Sequence, residues 1–141
     1  MTIKQHAGID VLSEAVAFYE RVGYTGGVNN ADLVCVAREK NTVVGLTRLC
    51  IEEGVLVLRG LYVAEDLRGR GIGTKLLRVA SDLVGSRECW CIPFAHLCGF
   101  YSTVGFSECD ESVVPAFLLS RYHAYVSKGM EVIIMQRSGD R

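Results

Sequence analysis

The apolar positions change period several times along the chain, and each change marks an element boundary. Thr2 to Ala7 reads as a short first strand. Asp10 is placed to cap a helix whose apolar positions Val11, Ala15, Phe18 and Val22 recur at helical spacing, and Gly23 stops it. Tyr24-Thr25-Gly26-Gly27-Val28-Asn29-Asn30 is turn-rich and too poor in apolar residues to be buried, so it is expected to be a loop and a candidate substrate wall. Three β-rich segments follow, Asp32 to Arg38, Thr42 to Ile51 and Val55 to Val63. Glu39-Lys40-Asn41 and Glu52-Glu53-Gly54 separate them, which predicts an antiparallel meander. From Arg68 the period becomes helical, with Ile72, Leu76, Val79, Ala80 and Leu83 on one face up to Gly85.

Beyond Gly85, Glu88 to Phe94 is strand-like, Leu97 to Val104 is a short helix closed by Gly105, and Pro115 opens a helix to about Ser127. Met130 to Gln136 is apolar on both faces, which predicts a central final strand. The order of elements implies an α/β (α+β) layer: a mixed, mostly antiparallel central sheet flanked by helices. No repeat or linker divides the chain and only 2 prolines interrupt it, so residues 1–141 are expected to form one domain.

Composition narrows the partners. The formal net charge of −1 offers no basic surface to displace counterions, so neither nucleic acid nor an anionic membrane is expected. No apolar run approaches the ~18 residues that span a bilayer. The start, Met1-Thr2-Ile3-Lys4-Gln5-His6, lacks the apolar run of a secretory signal, so a cytoplasmic protein with 6 reduced cysteines is expected. Cys89-Trp90-Cys91 with His96 and Cys98 supplies four potential zinc ligands, but the knuckle spacing of structural zinc is missing and no metal is expected.

The most informative stretch runs from Leu61 to Leu77 and joins a strand to a helix through glycines. Gly69, Gly71 and Gly73 remove side chains where the backbone must turn and approach a ligand. Successive N–H groups, including those of Ile72 and Thr74, are then directed at one point near the positive end of the helix. Phosphate is the anion expected there, with Arg68 and Arg70 adding charge and Thr74 a hydroxyl. The spacing fails as a P-loop because Lys75 follows Thr74, and as a dinucleotide fingerprint because position 74 is Thr.

At Arg68, Gly71 and Gly73 the sequence resembles the GNAT superfamily of acyl-CoA-dependent N-acyltransferases, whose phosphate loop reads Arg/Gln-x-x-Gly-x-Gly/Ala between a strand and a helix. Phe100-Tyr101-Ser102-Thr103-Val104-Gly105-Phe106 is similar to a second family motif. The resemblance implies that the loop holds the pyrophosphate of acetyl-CoA, and that Leu61, Tyr62 and Val63 on the preceding strand offer backbone groups to the pantetheine arm and thioester. It implies direct attack of a neutral amine on the thioester, with a base or water chain taking the ammonium proton, a backbone N–H near Leu61 to Val63 stabilising the oxyanion, and an acid protonating the thiolate.

Tyr101 is the candidate acid, since a phenol with a reference pKa of about 10 stays protonated at neutral pH and is close in basicity to an alkyl thiolate. Its structural alternative is packing of the short helix. Where many members carry a basic Glu this chain has Val57, and where they often carry Asn it has Phe94. His96 is the candidate base, with helix capping as its alternative, and His123 and His6 have weaker claims. If Glu53-Gly54 form a two-residue turn, Arg48 opposes Arg59, and two facing cations require an anion between them. A substrate carboxylate meets that need, as would a neighbouring acid of the chain itself, and the former points to a small amine of amino-acid type as acceptor. Two other readings stay open, a catalytically silent acetyl-CoA-binding regulatory module and a protein or peptide N-acetyltransferase. The helix 115–127 is expected either to cover the acceptor cleft or to form a homodimer surface.

Overall fold

The computed structural model describes residues 2–6, 9–29 and 31–138. Ala7 of the expected first strand and Asn30 of the expected loop lie outside the described residues. The chain divides into two compact units, Met1–Gly85 and Ser86–Arg141.

The first unit is the expected meander. Strands β1 (Thr2–His6), β2 (Leu33–Glu39), β3 (Thr42–Glu52) and β4 (Val55–Val63) pair antiparallel in chain order. Both hairpins turn on two residues with positive φ, Lys40-Asn41 and Glu53-Gly54, the backbone twist that suits the strands they join. The tight turn fixes the register, so Glu52 opposes Val55 and Arg48 opposes Arg59.

Helix α1 (Ile9–Val22) covers one face of this sheet and α2 (Ile72–Val84) the other. Ala15, Phe18 and Tyr19 of α1 bury against Val34, Val36, Val43 and Leu46. The residue beside Leu46, Gly45, faces the opposite way and lies against Leu76 and Ile72 of α2. Helix α1 begins at Ile9, so Asp10 falls inside the helix instead of capping it. The buried stripe of α2 is Ile72, Leu76, Leu77, Ala80 and Val84. The expected Val79 and Leu83 are only half-buried, because at that end the helix runs over the sheet edge and lines a shallow cleft with Ile3, Lys4 and Asp82.

In the second unit β5 (Cys89–Cys91), β7 (Met135–Arg137) and β6 (Phe106–Glu108) pair antiparallel in that order, with α3 (Cys98–Ser102) and α4 (Ala116–Ser127) between them in sequence. The final strand is central in this unit, as its apolar pattern implied, but shorter than Met130 to Gln136. Its continuation on the β5 side is a bridge from Phe94 to Val132 with Ile133 N–H bonded to the Pro93 carbonyl (3.0 Å) and Ala95 N–H to the Glu131 carbonyl (2.8 Å), and on the β6 side the Cys109 N–H bonds the Ile134 carbonyl (3.2 Å). Pro93 has no N–H to donate, which breaks the ladder and shortens both β5 and β7. Strand β6 was not legible: of its three residues only Phe106 is buried, too little for a period.

Candidate functional site

Strand β4 hands over to α2 through a turn at Glu65–Leu67, where the Leu67 N–H bonds the Ala64 carbonyl at 2.9 Å. Gly69 and Gly71 both stand at φ +83°, the left-handed region that side chains disfavour. Gly71 is the N-cap of α2, and no side chain caps it. The first N–H groups of any helix lack intrahelical acceptors, so Ile72, Gly73 and Thr74 present a cluster of donors at the positive end of the helix dipole. A Cβ built on Gly69 or Gly71 would meet nothing within 4 Å, so the space over the loop is open. Ile72 is buried and pins the loop from beneath.

Arg68 and Arg70 precede these donors in the loop and are exposed. Arg68 Nε donates to the Val63 carbonyl at 3.2 Å, tying the loop back to the end of β4. Arg70 pairs with Glu39 at 3.5 Å in a half-exposed contact that contributes at most about 1 kcal/mol and exchanges easily for a phosphate. These residues fit a bound diphosphate: converging amides, no side chain in the way, and two exchangeable cations.

One turn earlier β4 carries a bulge. Arg59 pairs with Arg48 and Tyr62 with Leu46, so Gly60 and Leu61 together face the single residue Thr47. Gly60 takes φ +65°, and the extra residue reverses side-chain alternation, putting Tyr62 on the α1 face beside Tyr19 and Tyr24. A lone glycine inside a strand pattern is the sequence signal for such a bulge. The Gly60 carbonyl accepts from Tyr19 Oη at 2.8 Å, and the Arg59 carbonyl from Thr47 Oγ1 at 3.1 Å.

Beneath the bulge lies Arg48, only 2% exposed. Its guanidinium donates from Nη1 to Asp32 (2.8 Å), from Nε to Tyr19 Oη (3.1 Å) and from Nη2 to Tyr24 Oη (3.1 Å). Burial works against its charge, but Tyr19 and Asp32 outweigh that effect and its pKa is raised. Burial also pushes the Tyr19 hydroxyl well above its ordinary value, with Arg48 pulling the other way, so the phenol keeps its proton. Asp32 in turn accepts from the Asn29 N–H at 2.9 Å, anchoring the loop from Tyr24 onward.

The facing arginines are therefore real, but the chain supplies their anions: Asp32 for Arg48, and Glu52 for Arg59 at 3.3 Å. This corrects the expectation that Arg48 binds a substrate directly, because its donors are spent on buried partners. Arg59 is partly exposed, and its pair with Glu52 is open to exchange. The loop after α1 is also less detached than its composition implied, since the Tyr24 ring packs on Tyr19 at 4.4 Å.

The second unit holds the remaining candidates. Tyr101 sits in α3, 7% exposed, edge-on to Phe100 and Phe106. His96 lies in the turn before α3, exposed and stacked on Phe94 at 6.0 Å. In the first unit, Val57 of β4 is 1% exposed. His123 pairs with Glu111 on the surface at 2.9 Å, and the side chain of His6 is outside the described residues. Among the described residues no group of three His, Cys, Asp or Glu side chains could hold a metal, and no helix is long and apolar enough to cross a membrane.

The family described as Acetyltransferase (GNAT) domain matches residues 30–108, more than half of the chain, with β4, the glycine loop and α3 inside the match. The chain belongs to the GNAT family. No curated protein sequence matches it. Among solved structures, Escherichia coli ElaA shares 15% identity with this GNAT protein at a TM-score of 0.71, covering 97% of this chain and 100% of that one. An acyl-CoA N-acyltransferase from Pseudomonas aeruginosa gives 15% identity and 0.70, covering 98% and 100%. N-acetylglutamate synthase from Neisseria gonorrhoeae, solved with coenzyme A and N-acetyl-glutamate, gives 16% and 0.67, covering 100% of this chain but 36% of that one. At these identities the likeness shows the fold: the mixed-sheet α/β fold of the GNAT acyltransferases.

Proposed function

We propose that this GNAT protein is a cytoplasmic N-acetyltransferase that moves an acetyl group from acetyl-CoA to a small primary amine of amino-acid type. The observation that carries the reading is the loop from Arg68 to Thr74, in which two left-handed glycines and two exposed arginines lead into a helix start that no side chain caps. Its amides, with Arg68, Arg70 and the Thr74 hydroxyl, would hold the diphosphate, and the backbone of Leu61 to Val63 the pantetheine arm. Acetyl-CoA when bound supplies a thioester open to nucleophilic attack.

The acceptor nitrogen attacks as the free amine, after losing its proton to water or to His96. A backbone N–H between Leu61 and Val63 carries the negative charge that develops on the carbonyl oxygen. Tyr101 is the acid for the departing sulfur, matched to it in basicity. The acceptor carboxylate is assigned to Arg59, which exchanges Glu52 for it, while Arg48 stays with Asp32 behind. The structure solved with N-acetyl-glutamate supports a carboxylate-bearing acceptor by analogy of fold alone.

A second reading is favoured by one observation: Val57 is apolar and buried, so no carboxylate base stands on β4, as suits a silent acetyl-CoA-binding regulatory module. One experiment separates the readings. Thiol release from acetyl-CoA is followed with a panel of amines, amino acids and peptides, for the native chain and Tyr101→Phe. The proposal expects release with small carboxylate-bearing amines, lowered about a hundredfold in Tyr101→Phe. Binding without release for every acceptor supports the silent module, and release with peptides alone moves the acceptor to a protein.

A further inference from the structure

The Gly60–Leu61 peptide is the pivot of the β4 bulge, and its orientation is set from below. A trans peptide is planar, with its C=O and N–H pointing in opposite directions, so whatever fixes the Gly60 carbonyl also fixes the Leu61 N–H. The Gly60 carbonyl is fixed by Tyr19 Oη at 2.8 Å, and Tyr19 Oη by Arg48 Nε at 3.1 Å. A hydroxyl has a single proton. Because Arg48 can only donate, it occupies a lone pair of Tyr19 and leaves the proton for Gly60. Asp32 and Tyr24 hold the other two nitrogens of the same guanidinium, so the base of this strut is itself fixed. The fit is close enough that a Cβ at Gly60 would stand 2.3 Å from Tyr19 Oη.

We propose that Tyr19 and Arg48 are positioning residues for acyl transfer. Arg48 aims the Tyr19 hydroxyl at the Gly60 carbonyl, and the Leu61 N–H at the far end of that peptide is thereby held toward the thioester oxygen. The inference rests on the reading of β4 as the strand that presents backbone groups to the acyl donor. Neither side chain touches the reacting atoms. Both act through one peptide plane, and their removal changes the orientation of a donor whose value to catalysis depends on alignment.

The test compares Tyr19→Phe, which deletes one oxygen, with Val36→Ala, which loosens the same core without touching the strut. Steady-state rates are measured with acetyl-CoA and a responsive amine, coenzyme A affinity by calorimetry, and the Leu61 amide by nitrogen–proton correlation spectra and hydrogen exchange. Tyr19→Phe is expected to lower kcat by about ten- to a hundredfold with coenzyme A affinity within about threefold, and to shift the Leu61 amide. Val36→Ala is expected to lose comparable thermal stability with kcat nearly unchanged. Arg48→Lys, which keeps a donor, should fall between native and Tyr19→Phe. If kcat in Tyr19→Phe stays within about twofold of native, or falls only in step with Val36→Ala, the proposal is overturned while the transferase reading stands. If the native chain does not bind coenzyme A, the functional reading and this proposal fall together, and a Leu61 amide undisplaced in Tyr19→Phe overturns the proposal by itself whatever the chain binds.

Discussion

Two arginine-bearing regions of the first unit, 20 residues apart in sequence from Arg48 to Arg68, solve opposite problems. Around Arg48 every nitrogen of a buried guanidinium has a partner within the chain, and the cluster ties together α1, the loop after it and the bulge of β4. Around Arg68 and Gly71 the charges are exposed, the helix has no side-chain cap, and the amides open onto free space. The first region spends its polar groups on geometry and has none left for a ligand. The second keeps them available and is held in position by the bond from Arg68 to the Val63 carbonyl and by the buried Ile72. Charge alone therefore does not mark a candidate binding site, whereas exposed charge beside uncommitted donors does.

The contrast is sharpest in stability. Arg48→Ala leaves Asp32 buried without its cation and should cost about 3–5 kcal/mol in chemical denaturation. Exposed Arg68→Ala should cost almost nothing there. A large loss in Arg68→Ala, or none in Arg48→Ala, would reverse the assignment. Gly60→Ala comes next: a left-handed alanine plus overlap with Tyr19 should cost about 1–3 kcal/mol and slow turnover, measured by the same denaturation and by thiol release.

Most of the fold is legible in the sequence because hairpin turns and helix stripes are local. Glu53-Gly54 alone sets the register that opposes Arg48 and Arg59. What escapes is decided by contacts distant in sequence. That Asp32 neutralises Arg48, 16 residues on, follows only once β2 and β3 are paired. Tyr19 looks like one more apolar position of an amphipathic helix until β4 brings Gly60 under its hydroxyl, 41 residues away. The shape of the glycine loop was legible for the opposite reason, as it is set by consecutive residues: Gly69 and Gly71 both take the left-handed conformation.

Smaller effects sharpen the picture further. Burial raises the thiol of Cys35 to about 11 and that of Cys50, against the pull of Arg48, to about 12, from an ordinary 9.0. The folded state therefore favours the protonated thiols. Their contribution is complete below pH 9.0 and is lost as pH rises through the folded values, because the unfolded chain releases those protons first. Denaturation midpoints should hold steady up to that point and decline above it, and a rising midpoint would contradict the burial of these thiols. Arg59→Ala should change stability by less than about 1 kcal/mol, its Glu52 pair being partly exposed, yet weaken use of carboxylate-bearing acceptors. Equal KM values in the two proteins would remove Arg59 from the acceptor site.

The most direct measurement is titration calorimetry of coenzyme A against the native chain and Gly71→Ala, whose new methyl group has room but forces a left-handed alanine at the helix start. Saturable heat with the native chain, weakened about tenfold or more in the variant while the fold is retained, is the predicted result. No heat with the native chain, or equal affinity in both, would show that the amides from Arg68 to Thr74 do not hold the diphosphate.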